Sequence, residues 1–345
     1  MSQGMATSGK TRLLIVDDSM FMRMAISAMC ELRDDIEVVG EAENGDEGVA
    51  MAGELAPDVI TMDLDMPKMD GITATRLITE QRRVPIIILS SLSERGSELT
   101  FRALNAGASD FVCKSASALD VDLSTIAETL VEKIQHWGKQ ARLQAAPASS
   151  GTAALGLQQH DLAFAMAGEG GPQALSTLLQ GIQRLRMPML VAPDLPPPMF
   201  GPFLRFLETR IALPIFAAED GTALGHDRVA VLPPGQVARL HFAGGGPPTL
   251  QVTAQPGPAG TPLATLLDSP GLGERKLLVM ALSALHADTT AAGRLRALGH
   301  TLVAQHPEHC IARGAGDELL QSGLVTAGMG LEDIKHLVME GQADG

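Results

Sequence analysis

The chain contains no tyrosine and one tryptophan, and aromatic residues make up only 3% of its 345 residues. Its hydrophobic fraction is still 45%, and 17 residues are methionine. Any core is therefore built mainly from aliphatic side chains and methionine, which suits helices packed in layers on a sheet. Because a single core seldom organises a chain of this length, we expect two domains.

Three further shortages exclude classes of protein. Cysteine occurs only as Cys30, Cys113 and Cys310, without the spacing of a metal-binding pair, and this usage is typical of a reducing cytosol. The densest apolar runs, such as Val84–Leu89, are far too short to cross a membrane. Basic residues number 26 against 40 acidic ones, and the net charge of −14 opposes nucleic-acid binding. We expect a soluble, cytoplasmic protein without membrane insertion, whose partners are proteins.

In residues 10–137, apolar runs of strand length alternate with segments of helical periodicity. A small, polar stretch, residues 1–9, precedes them and is expected to be disordered. The predicted strands are Arg12–Val16, Glu37–Ala42, Val59–Asp63, Val84–Leu89 and Phe111–Cys113. The predicted helices are Met20–Leu32, Asn44–Leu55, Gly71–Glu80, Ser93–Asn105 and Thr125–Lys139. This alternation predicts a parallel, doubly wound α/β sheet of the flavodoxin-like kind.

Polar side chains stand at the carboxyl ends of four of these strands. Asp17 and Asp18 follow the first strand, Asp63 ends the third, and Ser90 and Lys114 follow the fourth and fifth. Because the carboxyl ends of parallel strands meet at one edge of a sheet, we expect these groups to share a crevice. Three carboxylates repel one another, and Mg²⁺ relieves that repulsion while neutralising an incoming phosphoryl group. The pattern predicts that Asp63 accepts a phosphoryl group.

Each of these residues alone also has an ordinary structural explanation. An Asp-Asp-Ser sequence before a helix is a common N-cap, and a single Asp is a common turn former. The combination is more specific, because all five groups fall at strand ends of one predicted sheet. We therefore interpret them as a site.

The same residues resemble the receiver domain of two-component response regulators, in the segments LLIVDDS, DVITMDLDMPKMDG, PIIILSS and AGASDFVCK. The resemblance covers residues 12–137 and implies that a histidine kinase phosphorylates Asp63. The positions that it assigns to Mg²⁺ are Asp17, Asp18, Asp63 and the backbone carbonyl of Asp65. The positions that it assigns to phosphoryl binding and switching are Ser90, Phe111 and Lys114. One departure is Ser115, where the family usually has proline after the lysine.

The composition changes after the predicted fifth helix. Residues 138–158 are small, polar and loosely patterned, which is typical of an interdomain linker. Residues 159–345 are rich in Gly and Pro, with one cluster at 244–260, but strand-like runs recur among them. These runs are Leu162–Met166, Met187–Ala192, Val229–Leu232, Leu277–Leu282 and Leu302–Ala304. We expect a second α/β sheet with long loops.

Segments of both halves resemble the chemotaxis methylesterase family, CheB: MDLDMPKMDG and LSSLSERGSE in the first, AGEGGPQAL and AEDG in the second. The similarity continues through Met187–Phe206, Val229–Gly235, Leu263–Ser269 and Leu282–Thr289. It implies a methylesterase-like α/β domain over residues 159–345. In that family a Ser-His-Asp triad hydrolyses glutamyl methyl esters of methyl-accepting chemotaxis receptors.

Carried over position by position, the triad is incomplete. Gly168 stands where the family has Ser, Asp194 stands where it has His, and Asp288 retains the Asp. Glycine has no nucleophile, and an unpaired carboxylate at Asp194 repels the electron-rich intermediate that the triad serves. We therefore predict a phosphorylatable regulator whose second domain keeps the fold and acts by protein binding, possible partners being the chemotaxis receptors.

Other interpretations stay open. One is an active protein-glutamate methylesterase and glutamine deamidase that uses other groups, and another is a phosphate sink that drains a kinase. Candidates for a relocated triad are Ser283, His286 and Asp288, or the pair His160 and Asp161. The spacing of His306, His309 and Cys310 invites a zinc site, although Pro307 prevents a regular helix there and no further ligand is evident.

Overall fold

A computed structural model describes residues 9–91, 93–114, 123–143, 159–168, 170–243, 246–255, 261–283, 288–306 and 319–339. The chain divides into two compact units, residues 1–149 and 150–345, each with its own parallel sheet. Residues 1–8 of the predicted disordered segment and residues 144–158 of the predicted linker lie outside the described residues. The division falls inside the predicted linker, and the exact domain limits stay a prediction.

Five parallel strands form the sheet of the first unit. They are β1 (Thr11–Val16), β2 (Ile36–Ala42), β3 (Val59–Asp63), β4 (Ile86–Ser91) and β5 (Asp110–Lys114). The helices are α1 (Met20–Glu31), α2 (Gly45–Leu55), α3 (Gly71–Gln81), α4 (Glu94–Asn105) and α5 (Leu123–Leu143). The strand order β2-β1-β3-β4-β5 confirms the doubly wound α/β prediction. Such sheets bind ligands where the order reverses, here between β1 and β3.

Short polar side chains begin the helices directly after the strand ends. Ser19 Oγ accepts a hydrogen bond from the Met22 N–H at 3.4 Å, and Ser93 Oγ accepts one from the Gly96 N–H at 2.9 Å. Asn44 and Asp70 cap α2 and α3 in the same way. These caps satisfy backbone N–H groups that a helix start leaves without intrahelical partners. They hold the strand-to-helix loops, which carry the polar groups of the site.

The core of the first unit lies between the sheet and the helices α1 and α5. Leu13, Val59 and Ile87 of the sheet pack there with Ile26 of α1 and Ile134 of α5. Trp137, the only tryptophan of the chain, packs against this core from α5. Its indole N–H is buried without a hydrogen-bond partner. Burial of the aliphatic side chains is the main favourable contribution to this unit's stability.

Helix α5 corrects the prediction at its carboxyl end. It continues to Leu143, past the predicted end at Lys139 and into the predicted linker. Gly138 suggested a helix stop, but it lies inside α5, where an added Cβ would fall 2.3 Å from Thr11 Cγ2. This glycine allows α5 to approach β1 closely, and it does not end the helix.

Gly71 has a similar role beside Asp63. Its N–H donates to the Leu64 carbonyl oxygen at 3.1 Å, and a Cβ at this position would lie 1.9 Å from the carbonyl oxygen of Asp63. Any side chain here therefore displaces the end of β3. The glycine fixes the backbone that carries Asp63.

Gly71→Ala should lower the free energy of unfolding by about 1–3 kcal/mol, because the methyl group overpacks against the β3 backbone. Gly53→Ala is the matched control: Gly53 lies in α2, and an added Cβ there meets nothing within 4 Å. That change should stabilise the protein by about 0.5–1 kcal/mol, since Gly in a helix interior is unfavourable. Urea unfolding of both variants measures the difference, and equal midpoints would contradict this account.

The second unit is built on seven parallel strands in the order β14-β13-β12-β6-β7-β9-β8. These strands are β6 (Leu162–Ala167), β7 (Met189–Pro193), β8 (Ile215–Ala217), β9 (Val229–Val231), β12 (Leu277–Leu282), β13 (Thr301–Gln305) and β14 (Ala327–Met329). The described helices are α6 (Gly171–Leu179), α7 (Phe200–Glu208), α8 (Pro262–Leu267), α9 (Thr289–Ala297) and α10 (Leu331–Val338). A second parallel α/β sheet is therefore confirmed, with its reversal of strand order between β6 and β12.

An antiparallel hairpin was not predicted. Strands β10 (Gln236–His241) and β11 (Thr249–Ala254) pair with each other and not with the large sheet. Strand β11 lies inside residues 244–260, which the Gly and Pro content assigned to a loop. The sequence TLQVTA of β11 contains two threonines and a valine, and their branched side chains favour an extended chain. Leu240 and Leu250 of the hairpin join the core of the second unit.

Within the described residues, no helix combines the length and the apolar character that crossing a bilayer requires.

Candidate functional site

Three carboxylates converge where the strand order of the first unit reverses. Val16 of β1 and Met62 of β3 are neighbours in the sheet, so the next residues, Asp17 and Asp63, lie side by side. Each of Asp17, Asp18 and Asp63 offers a carboxylate oxygen, and these oxygens all lie within 4.8 Å of one another. Asp17 and Asp63 are buried, whereas Asp18 is exposed. Oxygen ligands at this spacing suit a hard divalent cation such as Mg²⁺.

Lys114 reaches this cluster from the end of β5. Its Nζ lies 2.7 Å from Asp63 Oδ1 and 3.2 Å from Asp17 Oδ2. Burial raises the pKa of Asp63, and the Lys114 ammonium only partly opposes that effect. Burial by itself lowers the pKa of Lys114, but Asp63 and Asp17 together outweigh it, so that this pKa is raised. The ammonium therefore stays charged beside Asp63, where it can pair with a bound anion.

Arg23 supports the two aspartates that follow β1, and the sequence analysis missed it. Its side chain is 8% exposed, and Nη1 donates to the carbonyl oxygens of Asp17 at 2.9 Å and Asp18 at 3.3 Å. Nη2 donates to Glu43 Oε1 at 2.8 Å. The only sequence signal was an arginine inside the apolar segment MFMRMAIS. Arg23 fixes the backbone from which both carboxylates project.

Arg23→Met should weaken Mg²⁺ binding by about tenfold, because groups that orient metal ligands typically contribute 10–100-fold to affinity. Arg76→Met is the control, since Arg76 pairs only with Glu80 on the exposed surface of α3. Isothermal titration of Mg²⁺ into both variants gives the two dissociation constants. An affinity equal to that of the parent for Arg23→Met would show that the loop holds its shape without the guanidinium.

Ser90 and Phe111 face α4 in this structure. Ser90 Oγ donates to the Gly96 carbonyl oxygen at 3.0 Å and accepts from Thr100 Oγ1 at 2.5 Å. The Phe111 ring is half-buried, with its centroid 6.1 Å from that of Phe101 in α4. The sequence placed the Ser90 hydroxyl in the acidic crevice, and the structure instead bonds it to α4. Strand position alone could not reveal the rotamer.

Asp65 lies in the loop between β3 and α3. Its exposed side chain is 3.4 Å from Arg95 Nη2, which is also exposed. An exposed ion pair of this kind contributes little to stability. The carboxylate of Asp65 therefore needs no structural role for the loop, and the prediction for this residue concerns its backbone carbonyl.

The three positions assigned to a triad meet at one edge of the second sheet. Gly168 follows β6, Asp194 follows β7, and Asp288 precedes α9 after β12. Because β6 lies between β7 and β12, the ends of these strands are neighbours. The Gly168 N–H donates to Leu282 of β12 at 3.2 Å, and the Asp194 N–H donates to Ala167 of β6 at 2.8 Å. The sequence placement of these positions therefore corresponds to one region of the structure.

A pocket of about 270 Å³ opens at this edge, and both Asp194 and Asp288 line it. Its apolar walls include Met166, Leu195, Leu232, Leu263 and Leu302. The carboxylate of Asp288 accepts a hydrogen bond from the Thr261 hydroxyl, and its Oδ1 accepts from the Ala291 N–H at 2.8 Å. Asp288 thus caps α9, and both of its oxygens are engaged.

The structure does not assemble a relocated triad from the described candidates. Ser283 is buried at φ 60°, and its hydroxyl lies 3.4 Å from Gln305 Oε1. His160 Nε2 lies 2.9 Å from Thr301 Oγ1. Asp161 accepts from the Lys276 N–H at 2.7 Å. His160 and Asp161 precede β6 and therefore lie at its amino end, opposite the pocket edge.

Several predicted positions lie outside the described residues. They are Ser115 beside Lys114, His286 of the candidate triad, and Pro307, His309 and Cys310 of the candidate zinc motif. The relocated triad with His286 and the zinc site therefore stay predictions.

Comparison with known proteins defines the class first. Residues 13–124 match the family model of the response regulator receiver domain, and residues 165–338 match that of the CheB methylesterase. With its doubly wound sheet and acidic cluster, the first unit makes this chain a response regulator. The second match covers about half of the chain. The chain belongs to the CheB methylesterase family.

Relatives support this assignment over nearly the whole length. The protein-glutamate methylesterase/protein-glutamine glutaminase 1 of Oleidesulfovibrio alaskensis is 31% identical, covering 95% of this chain and 98% of that protein. The response regulator domain of Thermotoga maritima CheB is 42% identical over 38% of this chain and 97% of its own, with a TM-score of 0.36. The methylesterase catalytic domain of T. maritima CheB is 18% identical over 52% of this chain and 97% of its own, with a TM-score of 0.45.

Proposed function

We propose that this protein is a CheB-type response regulator that a chemotaxis-type histidine kinase phosphorylates on Asp63. The observation that carries the proposal is the Lys114 ammonium 2.7 Å from Asp63, beside two further aspartates. The ammonium compensates part of the negative charge and marks where phosphoryl oxygens bind. A receiver domain also implies a kinase as phosphodonor.

Mg²⁺ is the cofactor that the acidic cluster suits. The residues that would hold it are Asp17, Asp18, Asp63 and the backbone carbonyl of Asp65. When bound, the ion neutralises charge on the cluster and on the incoming phosphoryl group. Arg23 maintains the loop that carries two of these ligands.

The transfer forms one bond and breaks one. A carboxylate oxygen of Asp63 attacks the phosphorus of a phosphohistidine, the P–N bond breaks with its electron pair returning to the imidazole, and an acyl phosphate results. Lys114 pairs with the phosphoryl oxygens, which requires it to leave its present contact with Asp63 in part. Ser90 contacts the same oxygens only after its hydroxyl leaves Gly96.

The second domain acts by protein binding, and the chemotaxis receptors are its candidate partners. Gly168 and Asp194 replace the nucleophile and the base of the family triad, and Asp288 caps a helix. The pocket at this edge offers apolar walls and two carboxylates without a hydroxyl nucleophile or an imidazole at the triad positions.

A second candidate is an active protein-glutamate methylesterase and glutamine deamidase. It is favoured by the printed activity of the relative from O. alaskensis, which aligns over nearly the entire chain. The pocket at the triad positions is also retained. Methanol release from methylated receptors separates the two candidates.

The experiment for the main proposal measures binding of a receptor cytoplasmic fragment to the full-length protein, with Mg²⁺, in the presence and absence of beryllofluoride. Beryllofluoride mimics the phosphoryl group on Asp63. We expect affinity to change by about fivefold or more, the usual lower range of coupling between two sites. An identical affinity in both states, with beryllofluoride bound, would contradict control of the second domain by the first.

A further inference from the structure

A lysine side chain is buried in the first unit with a single carboxylate beside it. Lys133 of α5 is 1% exposed, and its Nζ lies 2.8 Å from Asp110 Oδ2, which is 0% exposed. Burying two charges costs solvation free energy, and an apolar pair of similar size is often at least as stable. Stability alone therefore does not explain this ion pair.

Both members of the pair hold Phe111, the residue between Asp110 and the end of β5. Asp110 Oδ1 accepts a hydrogen bond from the Phe111 N–H at 2.8 Å. Lys133 Nζ donates to the Phe111 carbonyl oxygen at 3.0 Å and lies 5.8 Å from the centre of its ring. The peptide groups on both sides of Phe111 are thus fixed by the same ion pair, and the cation lies within range of the aromatic ring.

Phe111 connects this pair with two other parts of the site. Its ring packs 6.1 Å from Phe101 in α4, and the preceding residue of α4, Thr100, donates to the Ser90 hydroxyl. Three residues after Phe111, β5 ends at Lys114, whose ammonium contacts Asp63. The ion pair therefore anchors the start of a five-residue strand that carries the aromatic ring and ends at the ammonium.

We propose that Asp110 and Lys133 are positioning residues for the phosphoryl site: by fixing Phe111 against α4, they couple the state of Asp63 to the Ser90–Thr100 hydrogen bond. This inference rests on the proposed function, because it needs Asp63 to accept a phosphoryl group. Contact along a chain of residues does not itself demonstrate coupling, so the proposal requires a measurement that distinguishes positioning from stability.

The test uses the full-length protein labelled with fluorophenylalanine, which gives one ¹⁹F resonance for each of nine phenylalanines. Phe111→Leu assigns the Phe111 signal. Parent, Lys133→Met and Leu130→Ala are titrated with beryllofluoride and Mg²⁺ below their unfolding temperatures. Leu130 is buried in the same helix, so its truncation lowers stability without removing the ion pair.

In the parent and in Leu130→Ala, beryllofluoride should shift the Phe111 resonance. In Lys133→Met, we expect beryllofluoride to bind about three- to tenfold more weakly, within the usual range of coupling between sites. The Phe111 shift should be lost or present before ligand is added. Parent-like affinity and an unchanged Phe111 shift in Lys133→Met would overturn the proposal and leave the pair a stability element.

Two further measurements keep the proposal testable if Lys133→Met does not fold. Asp110→Asn with Lys133→Gln gives a neutral pair that retains hydrogen-bonding groups, and it should restore folding but not the full Phe111 response. In the unmutated parent, hydrogen exchange of the Phe111 amide should change when beryllofluoride binds, and an unchanged rate would overturn the proposal. A parent that does not bind beryllofluoride at all would instead contradict the proposed function.

Discussion

Asp63→Asn should reduce phosphoryl incorporation from acetyl phosphate or from a phosphorylated kinase to the background level. The amide nitrogen and oxygen of asparagine do not replace a carboxylate oxygen as nucleophile, and losing a nucleophile costs on the order of 10⁶-fold in a well-studied hydrolase. Radiolabelled phosphate on the purified protein measures the result. The fold should persist, because Asp63 lies at the end of β3 and makes no contact that the asparagine cannot sterically accept.

Asp58→Asn is the matched control for this variant. Asp58 directly precedes the same strand, β3, and its carboxylate accepts from the Arg12 N–H at 2.9 Å. It lies at the opposite end of β3 from Asp63, so this change tests the loss of a carboxylate without touching the acidic cluster. Incorporation into Asp63→Asn at the level of Asp58→Asn would show that another residue accepts the phosphoryl group.

The purified protein should release no methanol from methylated receptors above the uncatalysed rate. Loss of a triad nucleophile or base alone lowers kcat on the order of 10⁶-fold, and here both positions differ. Gly168→Ser combined with Asp194→His should increase methanol release above that of the parent, since both positions already lie at the edge of one pocket beside Asp288. Gas chromatography of released methanol provides the measurement.

The single changes Gly168→Ser and Asp194→His are the controls, because a serine without its base, or an imidazole without its nucleophile, remains inactive. Phosphorylated and unphosphorylated protein should both be measured. Ester hydrolysis by the parent that disappears in Ser283→Ala would reject the protein-binding proposal in favour of an enzyme with other groups. Parent activity that survives this change would also establish the enzyme, with the nucleophile elsewhere.

The convergence of Asp17, Asp63 and Lys114 was predictable from the sequence because parallel strands share one carboxyl edge. Each of these residues directly follows or ends an apolar run, so its position in the sheet follows from the strand pattern. The same logic located Gly168 and Asp194 at one edge of the second sheet. What the pattern supplies is the backbone position of a residue.

Side-chain direction and close packing did not follow from that pattern. The Ser90 hydroxyl bonds to Gly96, and the buried guanidinium of Arg23 supports the aspartate loop from within an apolar helix. Gly138 has the composition of a linker residue but allows α5 to contact Thr11. In each case the decisive contact joins residues distant in the sequence, or depends on a rotamer, and local periodicity carries no signal for either.

The position of Trp137 gives the protein a built-in optical reporter. With no tyrosine in the chain and only this indole, excitation at the red edge of its absorption makes the first unit emit while the second stays dark. The indole also lies one helical turn after Lys133, so its emission samples the helix that carries the buried ammonium. Emission and far-ultraviolet circular dichroism followed through the same denaturant titration therefore report on different parts of the chain. Coincident curves would mean that both units unfold as one cooperative system, and separated curves would give each unit its own stability.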